Sequence, residues 1–189
     1  MTATRQGDTR SLHALALAAA ARSREVEVAL DLLHTMEAGG MITDCRPYTS
    51  AIGACASGRW EAGLGLWGRM VEKGIKPDDR CVTTVLRVLR HSKRWREAMH
   101  LMTQLEETHG FQLGVDQIGE GVRTCLRAGK WSAALKLERK MPTRSPRKER
   151  ALQLLEAVGR DKIDGLGAHP QVEQAEVDAE AVAVVQSGE

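Results

Sequence analysis

At 189 residues the chain has room for one domain with a buried core and a tail. Its wealth of Ala, Leu, Arg and Glu, with β-branched runs nearly absent before the last ten residues, points to helices and away from a sheet. Net charge is +2, but residues 1–162 hold 27 bases against 19 acids and the remainder holds six acids with no Lys or Arg, so a basic body that suits a polyanion is offset by an acidic tail.

No window reaches the roughly 18 apolar residues of a membrane span. Cys45, Cys55, Cys81 and Cys125 are scattered without a CxxC, which excludes a disulfide framework and fits reduced residues in an intracellular or organellar compartment. Residues 1–9 read as an N-terminal arm. Arg5, Arg10, Arg22 and Arg24, opposed before Glu25 only by Asp8, have the charge pattern of an organelle transit peptide. Ser11 is a candidate N-cap for an Ala-rich helix over 12–21; the same run would also serve as the hydrophobic part of a transit peptide.

The stretch 46–78, RPYTSAIGACASGRWEAGLGLWGRMVEKGIKPD, is the best punctuated of the chain. Tyr48, Ala51, Ile52 and Cys55 follow the i, i+3, i+4, i+7 rule of one helical face, and Trp60, Leu64, Trp67 and Met70 mark a second helix. Ser57-Gly58 separates the two, and Gly74 followed by Pro77 stops the second. Next, Asp78-Asp79 opens a third-repeat helix over 80–90, in which Val82, Val85, Leu86 and Leu89 face inward between Arg80, Arg87 and Arg90. Gly114, Gly119 and Gly121 weaken the helix that follows by about 1 kcal/mol each relative to Ala. Ser145-Pro146 starts a capping helix over about 146–159, and residues 161–189 read as an acidic tail.

A repeat runs through these elements. A small residue recurs as Ala29, Gly63, Ala98 and Ala134, spaced 34, 35 and 36 apart. Three residues before it stand Val26, Trp60, Trp95 and Trp131; after it come Leu30, Leu64, Met99 and Leu135, then Leu32, Leu66, Leu101 and Leu137, and Met36, Met70, Leu105 and Met141 close the face. The small residues let helices approach and the large ones fill the space between hairpins. The Trp column is predicted to be core rather than a base-stacking platform. Repeats are placed at 10–44, 45–78, 79–114 and about 115–150, stacked as an open array rather than a closed globule.

The period, the string YTSAIGACASGRWEAGL and the GIKPD ending at 74–78 resemble pentatricopeptide repeats, more than the related tetratricopeptide repeat. The resemblance covers about residues 10–150 and implies an all-α fold, a right-handed α-solenoid of helix-turn-helix repeats. It further implies single-stranded RNA as partner, in organelle RNA processing, stability or translation, within a mitochondrion or chloroplast. In that family each repeat presents two or three side chains to one base. Matched onto this chain, the base-reading pair is Thr49 with Asp78 in the second repeat, Ala14 with Asp44 in the first, Thr83 with Gly114 in the third, and Gly119 without a partner in the fourth. The base-flanking position carries Ser11, Arg46, Arg80 and Asp116, where Arg46 and Arg80 suit phosphate.

No catalytic constellation stands out. Nothing resembles HExxH or a zinc spacing around His91 and His100, Gly165-Leu166-Gly167 lacks the context of a dinucleotide site, and Cys55 and Cys125 sit where packing residues are expected. A non-enzymatic role with no cofactor is therefore expected. The alternative to RNA binding is a helical-repeat adaptor that holds a protein partner.

Overall fold

The computed structural model describes residues 2–141, 149 and 153. Eight α-helices follow one another among them: α1 (Thr2–Ser23), α2 (Val26–Ala38), α3 (Arg46–Ala54), α4 (Trp60–Glu72), α5 (Asp79–His91), α6 (Trp95–His109), α7 (Val115–Arg127) and α8 (Trp131–Arg139), with a single 3₁₀ turn at Cys55–Ser57. All lie within one compact unit, Met1–Ala151. The predicted capping helix lies outside the described residues except for Glu149 and Gln153, both helical and exposed, and the acidic tail lies outside them altogether.

The helices pair into four hairpins, α1–α2, α3–α4, α5–α6 and α7–α8, and the first helices form a row in which α1 packs on α3, α3 on α5 and α5 on α7. The second helices α2, α4 and α6 each also touch the first helix of the next hairpin. This is the helical-repeat solenoid that the periodicity requires, because one hairpin buries only one stripe of each helix and needs its neighbour for the rest.

The hairpins share a closure. In the turn from first to second helix one residue takes a left-handed conformation, at Arg24 (φ 59°), Gly58 (114°), Lys93 (57°) and Gly129 (74°). The next N–H then reaches back to a carbonyl in the last turn of the first helix, as in Glu25 to Ala20 (3.0 Å), Arg94 to Leu89 (2.9 Å) and Lys130 to Cys125 (2.9 Å). A side chain in that region costs roughly 1 kcal/mol or more, and glycine returns about half of the relief through its freer unfolded chain. Lys93→Gly is therefore expected to stabilise the fold by about 0.5 kcal/mol, read as a higher midpoint in urea unfolding with an unchanged slope.

The core holds most of the predicted faces. Tyr48, Ala51, Ile52 and Cys55 are fully buried, as are Val82, Val85, Leu86 and Leu89, and the small-residue column Ala29, Gly63, Ala98 and Ala134 is buried in all four copies. Three expectations are corrected. Leu30, Leu64 and Met99 are only half-buried and Leu135 is exposed; the inward column is instead Leu33, Trp67, Met102 and Glu138, three residues further along and so nearer the crossing. Trp60, Trp95 and Trp131 are half-buried rather than core, because they begin their helices at the rim. Arg94 lies 4.0 Å over the Trp60 ring and Lys130 5.5 Å from that of Trp95, so the cation before each later tryptophan covers the earlier one. Finally, α1 begins at Thr2, so Ser11 is inside a helix rather than its cap and the arm 1–9 is helical from residue 2; no proline in that stretch stops the helix from running on.

A part-buried polar cluster ties the first two hairpins together. The Tyr48 hydroxyl donates to Glu37, whose carboxylate also receives Lys73 at 2.8 Å and faces Arg69 at 3.6 Å. Burial alone would raise the Glu37 carboxyl, but Lys73, Tyr48 and Arg69 outweigh it and hold it below the usual range.

Candidate nucleic-acid interface

Two clefts of similar size open between consecutive first helices. One, about 560 Å³, lies between α1 and α3 and is bordered by Arg10, Ala14, Asp44, Arg46 and Ser50. The other, about 540 Å³, lies between α5 and α7 and is bordered by Arg80, Thr83, Arg87, Asp116 and Gln117. Both arise because the helices carry their large residues on the inward side and short polar ones, Ser50 and Thr83, where the two first helices face outward together.

Four of the six predicted site residues line these clefts. In the first, Asp44 and Arg46 are brought together and occupied with each other. The Arg46 guanidinium donates to Asp44 Oδ2 through Nη2 at 2.6 Å and Nε at 3.0 Å, and the Arg46 N–H donates to Oδ1 at 2.9 Å. The Arg46 hydrogen bond holds the Asp44 carboxyl below the ordinary carboxylate range. Arg10 at the same lip donates to Thr43. In the second cleft Arg80 is exposed, and Thr83 donates its hydroxyl proton to Asp79 O at 2.7 Å, which leaves its oxygen as an acceptor.

Thr49 and Asp78 lie between α3 and α5, away from either cleft. Thr49 is 8% exposed and donates to Cys45 O at 2.9 Å within its own helix. Asp78 is the N-cap of α5, with Oδ1 accepting from Cys81 N–H at 2.6 Å, and its side is exposed. The Cys45 thiol also hydrogen-bonds the Asp78 carboxylate. Asp78→Ala should lower stability by about 1 kcal/mol, near 3 °C in thermal midpoint, whereas Asp78→Asn keeps the cap and should cost little; circular dichroism melts of the two variants check this.

Burial pushes the thiol of Cys81, next to Thr49 and Asp78, up to about 12, and that of Cys125 in α7 likewise to about 12.

Two contributors escaped the sequence reading. Arg87 stands one turn beyond Thr83 on the same cleft wall, a spacing that i, i+3, i+7 counting from Arg80 through Thr83 could have found. Gln117 is 3% exposed and donates Nε2 to Asp79 O at 3.2 Å across the α5–α7 junction; no local signal announces a partner 38 residues away. Around His91 four arginines gather from three first helices or their ends, Arg90, Arg127, Arg24 and Arg87, and with burial, the larger cause, they lower the imidazole below its ordinary value.

Comparison with known proteins adds the family context. Residues 47–75 match the PPR repeat family model. The chain is 31% identical over 103 residues to a mitochondrial pentatricopeptide repeat-containing protein of Arabidopsis thaliana, a match covering 53% of this chain and 16% of the relative. Among solved structures it resembles the PPR domain of protein-only RNase P 1 of Arabidopsis thaliana in complex with tRNA, with TM-score 0.62, 15% identity, and coverage of 90% of this chain and 97% of that one. It also resembles nuclear proteinaceous RNase P 2 of the same plant, with TM-score 0.60, 14% identity, and coverage of 80% and 35%. At such identity these two structures speak for the fold, and the chain spans about a sixth of the mitochondrial relative's length.

Proposed function

We propose that this pentatricopeptide-repeat protein binds single-stranded RNA without catalysing a reaction on it, in RNA processing, stability or translation within a mitochondrion or chloroplast. The observation that carries the reading is the pair of polar, arginine-lipped clefts between successive first helices, at Arg10 and Arg46 and again at Arg80 and Arg87. A cleft of several hundred Å³ admits a single unstacked base, and guanidinium groups at its mouth meet the phosphates on either side. The mitochondrial name of the relative and the tRNA-bound state of one structural neighbour support the partner and the compartment.

Within this reading Thr83 accepts from a base donor, since its own proton is used. Asp78 presents an exposed carboxylate to a base beside Thr49, and Arg46, held by Asp44, contributes less to phosphate binding than Arg80. The test is binding to a randomised pool of single-stranded RNA over a salt series. Arg80→Ala with Arg87→Ala should weaken binding for all sequences and flatten the dependence of log affinity on log salt by about 1.4, the value for two phosphate contacts on a single strand. Asp78→Asn should change base preference at one position and leave the slope alone. Absence of binding by the unmodified chain at low salt would remove the RNA reading in favour of a protein-holding adaptor.

A further inference from the structure

The residue that ends each of the first three repeats is Asp44, Asp78 and Gly114 in turn, so the third repeat has no side chain where the others have a carboxylate. That place is nevertheless occupied. A Cβ on Gly114 would stand 2.8 Å from Gln117 Oε1, so an amide oxygen sits where the missing side chain would begin. Gln117 lies three residues further on, in the first turn of α7; it is 3% exposed and lines the α5–α7 cleft together with Gly114 and Thr83. The orientation of its amide is set by what faces the nitrogen. Nε2 points to Asp79 O at 3.2 Å and to Asp79 Oδ1 at 3.4 Å, a carbonyl and a carboxylate oxygen, both acceptors, so the NH2 must face them and the oxygen is the atom left at Gly114. Thr83 donates its proton to the same Asp79 carbonyl at 2.7 Å. One carbonyl thus takes a donor from each wall of the cleft, Thr83 of α5 and Gln117 of α7, and each of these side chains keeps an oxygen that can only accept.

A pair of acceptors calls for a pair of donors. Guanine is the one common RNA base whose Watson–Crick edge carries two donors on neighbouring groups, N1–H and the N2 amino group. Uracil has a single N3–H between two carbonyls, and adenine and cytosine set one amino group beside a ring nitrogen that accepts. We propose that the α5–α7 cleft selects guanine, with Thr83 Oγ1 and Gln117 Oε1 accepting from its N1–H and N2 amino group. The inference rests on the reading of these clefts as RNA-binding sites and adds to it a residue and a base. Gln117, from outside the positions that the repeat pattern assigns to base reading, takes the part of the acidic residue that ends the first two repeats.

Selection of a randomised single-stranded RNA pool by the full chain, sequenced before and after, tests the proposal, with circular dichroism melts to verify that variants remain folded. The unmodified chain should enrich guanine at one position, and Thr83→Ala and Gln117→Ala should each lower the enrichment at that same position by roughly fivefold, the worth of one hydrogen bond. Asp78→Asn should act at a neighbouring position instead. The deciding variant joins Gln117→Ala to Gly114→Asp. Gly114 has extended backbone (φ −81°, ψ 176°) at the N-cap of α7, which aspartate adopts readily, and alanine at 117 clears the space for it. The double variant should regain the guanine preference, because its carboxylate returns an acceptor to the same place; a glutamine that only packed the junction would not be replaced in this way. Absence of RNA binding by the unmodified chain would overturn the RNA reading and this inference with it. The inference alone would be overturned by RNA binding whose base preference Gln117→Ala leaves intact, by enrichment of adenine, cytosine or uracil at the position that Thr83→Ala alters, or by a folded double variant that does not prefer guanine.

Discussion

Gly121→Leu is expected to lower stability by about 2 kcal/mol, near 6 °C in thermal midpoint, whereas Gly121→Ala should be close to neutral. Gly121 sits in the middle of α7, where a Cβ would stand 2.7 Å from Met102 Sδ and 2.9 Å from Leu137 Cδ1. Alanine in a helix interior gains about 1 kcal/mol over glycine, and one extra methyl in a filled crossing costs about the same when a methionine can shift to admit it. Leucine brings three further carbons into space already held by Met102 and Leu137, which are 2% and 3% exposed. The packing cost, about 3 kcal/mol, then exceeds the propensity gain. Paired thermal melts of the two variants decide it; a stabilising leucine would mean that α6 and α8 can part from α7 without loss.

Glu120→Ala should cost about 2–3 kcal/mol, measured as a lower midpoint in denaturant. Glu120 is 7% exposed and sits between Arg123 on its own helix (2.8 Å) and Arg90 of α5, whose Nε approaches Oε2 at 2.9 Å as an ion pair without hydrogen-bond alignment. Removing the carboxylate leaves two guanidinium groups facing each other across the α5–α7 junction, and a half-buried charge stripped of its partner is costly. Arg90 keeps a path to solvent, which holds the loss below that of a fully buried orphan. Replacing Glu120 and Arg90 together by Leu and Met should recover most of the loss, because the charges contribute little net stability once their desolvation is counted. If the double variant is as unstable as the single one, packing rather than charge governs the junction.

Much of the fold was legible from spacing alone. The second helices begin at Val26, Trp60, Trp95 and Trp131, the first residues of their repeat columns, and Asp78 caps α5 as its position before an apolar helix implies. These are local matters: an N-cap, a glycine turn and a 3.6-residue stripe are decided within a few residues. The candidate interface was legible in part. Arg80 and Thr83 stand on one cleft and Asp44 and Arg46 on another, but the mutual capture of the latter two, the burial of Thr49 and the presence of Arg87 depend on side-chain directions that spacing leaves open.

By itself, then, the sequence determined the helices, their register and the number of hairpins in the described array, since helical periodicity and turn chemistry are short-range. Only the tertiary structure decided which side of each stripe is inside. Whether a residue at the edge of an apolar face is core or rim depends on how two helices cross, and this separated Leu33 from Leu30, set the tryptophans at the rim and gave Glu120 its partner on another helix.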